Sequence, residues 1–72
     1  MNITVFGGSG FLGSHVADVL TVRGHNVLIF DKIKSPYLKK SQTMLVGDVL
    51  DEKIVPKAVA GADVVYNFIA LA

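Results

Sequence analysis

The apolar positions of this chain fall into short blocks set off by glycines, prolines and charges. The first block, "NITVF" at residues 2 to 6, is β-branched and aromatic and runs straight into glycine, which predicts a strand. From residue 11 to 23 the spacing changes. Leu12, Val16, Val19 and Leu20 recur at i, i+4, i+7 and i+8, which predicts a helix with that stripe as its buried face and Ser14, Asp18, Thr21 and Arg23 turned elsewhere. Gly24 stands where a left-handed stop residue belongs, and His25-Asn26 turns the chain. "VLIF", residues 27 to 30, is a continuous apolar run of strand length, the kind buried on both faces of a parallel sheet; it ends at Asp31.

Residues 32 to 42 are polar and contain Pro36, so they predict a loop with room for one helical turn. "TMLVGD" supplies a third strand ending at Val46. Asp51 is placed to cap a short helix, but Pro56 lacks a backbone donor. The segment therefore breaks near Ile54-Val55 or begins its helix with Pro56 in the first turn, and Gly61 stops it. "DVVYNFIA", residues 63 to 70, reads as a fourth strand. Strand, helix, strand, strand, helix, strand with right-handed crossovers builds an α/β unit, the first half of a doubly wound parallel sheet with strand order 3-2-1-4. Its fourth strand would lie at an open edge. That edge suggests a longer parent protein and is also a surface through which a homo-oligomer could form.

Composition narrows the picture. A chain of 72 residues holds one small domain, which buries only about 60% of its unfolded surface. The apolar fraction of 51% is high, yet no run approaches the ~18 residues of a membrane span. The chain opens without a charged leader, and with no cysteine it has neither disulfides nor thiolate metal sites; a cytoplasmic setting fits. Net charge is +1, and the local cluster Lys32, Lys34, Lys39 and Lys40 lacks the aromatic platform of a nucleic-acid surface, so it reads as a solvated loop. His15 and His25 read as a helix-surface and a turn residue, too isolated for a metal.

The strongest chemical signal is "VFGGSGFLGSHV", residues 5 to 16. A strand that passes through glycines into a helix presents backbone amides at the positive end of the helix dipole, where a pyrophosphate binds without a cationic side chain. Glycine is needed where a Cβ would block that approach. Two spacings overlap here: Gly8, Gly10 and Gly13 give G-x-G-x-x-G, and Gly7, Gly10 and Gly13 give G-x-x-G-x-x-G. Asp31, at the tip of strand two, is placed to accept hydrogen bonds from both hydroxyls of an adenosine ribose and to repel a 2′-phosphate. Lys32 and Lys34 beside it could accommodate that phosphate, so NAD is favoured over NADP without excluding it.

With "RGHNV…FD", "GDV" and "DVVYNFIA", this stretch resembles the extended short-chain dehydrogenase/reductases. More narrowly, it is similar to the NAD-dependent epimerase/dehydratase group acting on nucleotide sugars. The resemblance runs the whole chain, which it implies is the N-terminal part of an NAD(P)-binding Rossmann domain. It selects the spacing through Gly7, Gly10 and Gly13, with Phe11 and Leu12 filling the gap. It implies a pyrophosphate loop at those three glycines with backbone contacts from Phe11 and Leu12, an adenosine ribose at Asp31 and Lys32, and adenine beside Asp48 and Val49. It also implies a cofactor-lining segment at Phe68, Ile69 and Ala70, although core packing explains Phe68 and Ile69 almost as well.

The same resemblance implies catalysis by a Ser or Thr with a Tyr-x-x-x-Lys pair. Neither Tyr37 nor Tyr66 has a lysine four residues on, so no catalytic residue is assigned in this chain. Two functions follow as expectations: the cofactor portion of an epimerase- or dehydratase-like enzyme holding NAD and, in the whole protein, a nucleotide sugar; or a non-catalytic NAD(P)-binding sensor of the same fold. A structural module without cofactor comes third. Neither nucleic acid nor membrane is expected as a partner.

Overall fold

A computed structural model describes residues 1–69, so Ala70 of the expected cofactor segment lies outside the described residues. The elements are β1 (Asn2–Phe6), α1 (Phe11–Val22), β2 (Asn26–Asp31), β3 (Thr43–Val46), α2 (Val55–Val59) and β4 (Val64–Asn67). The four strands form one parallel sheet in the order β3-β2-β1-β4, as the chain pattern predicts. The central strands β1 and β2 run in register from Asn2 opposite Asn26 to Phe6 opposite Phe30.

The sheet separates two apolar layers, because successive side chains of a strand point to opposite faces. Ile3, Val5, Val27 and Ile29 meet Ala17 on the α1 side. Phe6 and Phe30, with ring centroids 4.9 Å apart, meet Ala58 on the α2 side. Thr4 also lies on the buried sheet, and its hydroxyl donates to the Ala58 carbonyl at 2.7 Å, which fixes α2 to β1.

Helix α1 corrects one expectation. Its buried residues are Gly13, Ser14 and Ala17, whereas Leu12 and Val19 are 59% and 42% exposed. Leu20 alone of the expected stripe packs against the α1-side core. The reason is steric. A Cβ on Gly13 would overlap the Gly7 carbonyl and stand 2.9 Å from the Gly8 Cα, so the helix lies too close to the β1 turn for large residues there. Small side chains mark this buried face, and a hydrophobic periodicity cannot register them. The helix ends as expected: Gly24, with φ +90, donates to Thr21 O and His25 N donates to Leu20 O, closing a Schellman motif.

The second helix begins with Pro56 in its first turn, after Ile54 as N-cap, and Gly61 with φ +77 follows it. Asp51 caps the preceding turn instead of the helix, accepting from Lys53 N at 2.9 Å. Residues 32 to 42 form bends and turns with no helical turn. Gln42, which is buried, ties their C-terminal end down: its Oε1 accepts from Lys39 N, and its Nε2 donates to Asp18 Oδ1 and Thr21 Oγ1, each at 3.0 Å. Gln42→Met keeps the volume but leaves these partners without their mate, so a loss of about 1–3 kcal/mol is expected. A lowered urea midpoint at unchanged slope would report it; an unchanged midpoint would mean that the loop is held by something else.

Candidate functional site

All four strands deliver their C-terminal ends to one cavity of about 310 Å³. Gly7 and Gly10 come from the turn after β1, Asp31 and Lys32 from the end of β2, Gly47 and Val49 from beyond β3, and Phe68 and Ile69 from beyond β4. Open parallel sheets bind ligands in this place, where the chain turns from one side of the first strand to the other. A slightly larger cleft, about 350 Å³, lies around Asn2, Asn26 and Gly61 at the other end of the strands and is lined by no titratable side chain.

The three fingerprint glycines do different work. Gly7 has φ +79, and a Cβ there would stand 3.0–3.2 Å from the backbone of Phe68 and Ile69; it lets β1 and β4 close together at the switch point. Gly13 lets α1 seat against the loop. At Gly10 a Cβ would meet nothing nearer than Gly7 O at 3.6 Å, so its open side faces the cavity. Gly10 is also the N-cap of α1 and offers no capping side chain. The first intrahelical bond runs from Ser14 N to Gly10 O, so the amides of Phe11, Leu12 and Gly13 precede the helical ladder and are available to an anion. Gly8, the alternative fingerprint residue, is buried: a Cβ there would come 2.6 Å from the Ile29 side chain. It serves packing against β2.

Asp31 faces the loop across the cavity. Its Oδ2 accepts from Ser9 N at 3.1 Å and its Oδ1 from Lys32 N at 2.7 Å. Ser9 Oγ donates to Ile33 O at 2.6 Å, tying the glycine loop to the end of β2 a second time. Each carboxylate oxygen retains acceptor capacity beyond its one amide, so the group can receive two further donors while held in place. Asp48 stands at the rim: its Oδ1 accepts from Leu50 N at 2.9 Å and its Oδ2 lies 3.7 Å from Lys32 Nζ.

The structure thus gathers Gly7, Gly10, Asp31, Lys32, Val49, Phe68 and Ile69 around one space, with Asp48 joined to it through Lys32. Phe11 and Leu12 sit at the helix start with exposed side chains, so backbone contact is what they offer. Phe68 and Ile69 serve twice, packing against the α1-side and α2-side cores while lining the cavity. Two participants escaped the sequence reading. Ser9 orients Asp31 through a backbone amide, which leaves no side-chain signature. Gly47 lines the cavity, and a Cβ there would overlap the Ile54 side chain; its signal was a glycine placed just after a strand, as at Gly7. His15 is exposed, His25 Nδ1 lies 3.2 Å from the Met1 amine, and no metal-binding cluster occurs among the described residues. No helix among them is long and apolar enough to cross a membrane.

Comparison with known proteins bears directly on this geometry. A 3-beta-hydroxysteroid dehydrogenase from Mycolicibacterium neoaurum is 39% identical over 70 residues, 96% of this chain and 19% of that protein. UDP-glucose 4-epimerase from Thermotoga maritima, solved with UDP-glucose, superposes over 100% of this chain and 25% of its own with a TM-score of 0.90 and 31% identity. The Brucella ovis UDP-glucose 4-epimerase, solved with NAD, gives 0.88 at 28% identity, over 99% of this chain and 23% of its own. The chain therefore spans about a fifth to a quarter of the length of these relatives. The model of the NAD dependent epimerase/dehydratase family matches residues 3–72, and with the sheet order, the glycine turn and the acid at the tip of β2 in place, the chain belongs to that family.

Proposed function

We propose that this chain is the N-terminal, adenosine-diphosphate-binding part of the cofactor domain of an NAD-dependent enzyme of the nucleotide-sugar epimerase or dehydratase kind. The observation that carries the reading is the convergence of the open face of Gly10, the start of α1 and the carboxylate of Asp31 on one cavity. These residues fit a dinucleotide. The helix start suits a pyrophosphate, Asp31 suits the paired hydroxyls of a ribose, and Val49 with Ile69 offers apolar walls to a base. A volume of about 310 Å³ is at the lower end of the ~300–1,000 Å³ usual for small-molecule sites, which suits half of a dinucleotide.

Bound NAD would supply a hydride acceptor for a carbinol carbon of the substrate. The residues of this chain bind and orient. The loop amides would hold the phosphates, Asp31, oriented by Ser9 N, would hold the ribose, and Gly7 keeps the β1 and β4 ends close enough to form one floor. The solved epimerases favour a nucleotide sugar as substrate. A second reading, a net dehydrogenase for a hydroxysteroid-like alcohol, draws on the steroid dehydrogenase relative.

Calorimetry of the full-length protein with NAD, followed by assay on UDP-glucose and on a 3β-hydroxysteroid, separates these readings. NAD binding and epimerised sugar without accumulating NADH is the expected result. Steady NADH production from the steroid would transfer the assignment to the second reading, and NAD binding without turnover of either would favour a sensor. The isolated 72-residue chain is expected to convert neither substrate, since neither Tyr37 nor Tyr66 has a lysine four residues on. Sustained turnover by it would refute that.

A further inference from the structure

Among the described residues Lys32 is the cation that lines the cavity, and it is engaged. Its Nζ lies 3.7 Å from Asp48 Oδ2, while its own backbone N–H donates to Asp31 Oδ1 at 2.7 Å. A lysine one residue beyond the ribose-binding acid would ordinarily be the first partner for a 2′-phosphate, and a phosphate takes lysine as a point charge from several directions. Here that charge is directed towards a carboxylate just beyond the end of β3. The carboxylate is itself oriented. Asp48 Oδ1 accepts from Leu50 N at 2.9 Å, which turns Oδ2 towards Lys32.

We propose that the Lys32–Asp48 ion pair is a cofactor-selection device: Asp48 withholds Lys32 from a 2′-phosphate, so that Asp48 as well as Asp31 sets the preference for NAD over NADP. The inference rests on the reading of Asp31 as the ribose-binding acid. Lys32 lines the cavity and Asp48 does not, so NAD, which carries no phosphate at that hydroxyl, can bind with the pair intact. NADP has to break it. With the side chains 66% and 46% exposed, the pair is weak, and the selection it imposes is correspondingly modest.

The test uses the full-length protein as wild type, Asp48→Asn, Lys32→Met, the double variant of these two and Asp31→Ala, each titrated with NAD and with NADP. Asparagine keeps an oxygen for Leu50 N, so the turn after β3 is retained while the charge is lost. The affinity ratio of NADP to NAD should rise about two- to fivefold in Asp48→Asn, the size of an exposed ion pair. That rise should vanish in the Lys32→Met background and shrink at about 0.5 M salt, where exposed charges are strongly screened. Lys32→Met alone should change the ratio little, because the wild-type lysine is already engaged. An unchanged ratio in Asp48→Asn would overturn the proposal. An equal rise with and without Lys32 would overturn it too, because Asp48 would then repel the phosphate directly. A wild-type ratio that is insensitive to Asp31→Ala would instead sink the underlying assignment of the ribose.

Discussion

Gly10→Val is expected to abolish NAD binding in the full-length protein while leaving its fold intact, and Gly13→Val to do the reverse, damaging the fold first. Gly10 has φ −75 and ψ 170, an extended conformation open to any residue, and a Cβ there meets only Gly7 O at 3.6 Å. A valine therefore costs the protein little. Its methyls occupy the cavity in front of the first helical amides, where the pyrophosphate would lie. Displacing two charge-assisted hydrogen bonds, at about 1.5 kcal/mol or more each, predicts binding about a hundredfold weaker or worse. At Gly13 the new side chain meets backbone that cannot rotate away, the Gly7 carbonyl and the Gly8 Cα. Even alanine should cost about 1–3 kcal/mol there, as overpacking does. Calorimetry with NAD and circular-dichroism melts distinguish the two. Wild-type affinity in a folded Gly10→Val protein would move the phosphate away from the helix start.

The contrast between these glycines shows where the sequence was legible. Strand β1 announced itself through β-branched and aromatic residues ending in glycine, and β2 through the unbroken apolar run of a strand buried on both faces; the topology then followed from right-handed crossovers. Asp31 was legible because an acid ends an apolar strand abruptly. The packing face of α1 was hidden, since it is built from Gly13, Ser14 and Ala17, whose small size is the reason the helix fits, while Leu12 and Val19 carried the periodic signal into solvent. Tertiary hydrogen bonds were hidden as well. Nothing in the spacing of Gln42 announces that it ties the loop to Asp18 and Thr21, or in Ser9 that its amide meets a carboxylate 22 residues on.

That last contact bears on the most discriminating substitution, Asp31→Ala. The carboxylate has two duties, holding the Ser9 and Lys32 amides and, in the proposed function, receiving the two ribose hydroxyls. Losing the first loosens the glycine loop and weakens NAD and NADP alike. Losing the second weakens NAD more than NADP, which keeps only the 3′-hydroxyl; for NAD the loss is about 1.5–3 kcal/mol, the range for a hydrogen bond to a charged group, or roughly ten- to 150-fold. For NADP an opposing change follows, since the negative charge that would face its 2′-phosphate is gone and Lys32 still lines the cavity. NAD affinity should therefore fall steeply and NADP affinity fall less or rise, so the preference shrinks or reverses. Asp31→Asn separates the duties, because one amide oxygen can still accept from Ser9 N while the charge is removed. It should keep the loop ordered and still lose most of the preference. The measurement is a pair of affinities for each protein at one salt concentration. Equal losses for both cofactors in Asp31→Ala, with Asp31→Asn like wild type, would assign the carboxylate to the loop alone and take the ribose away from it.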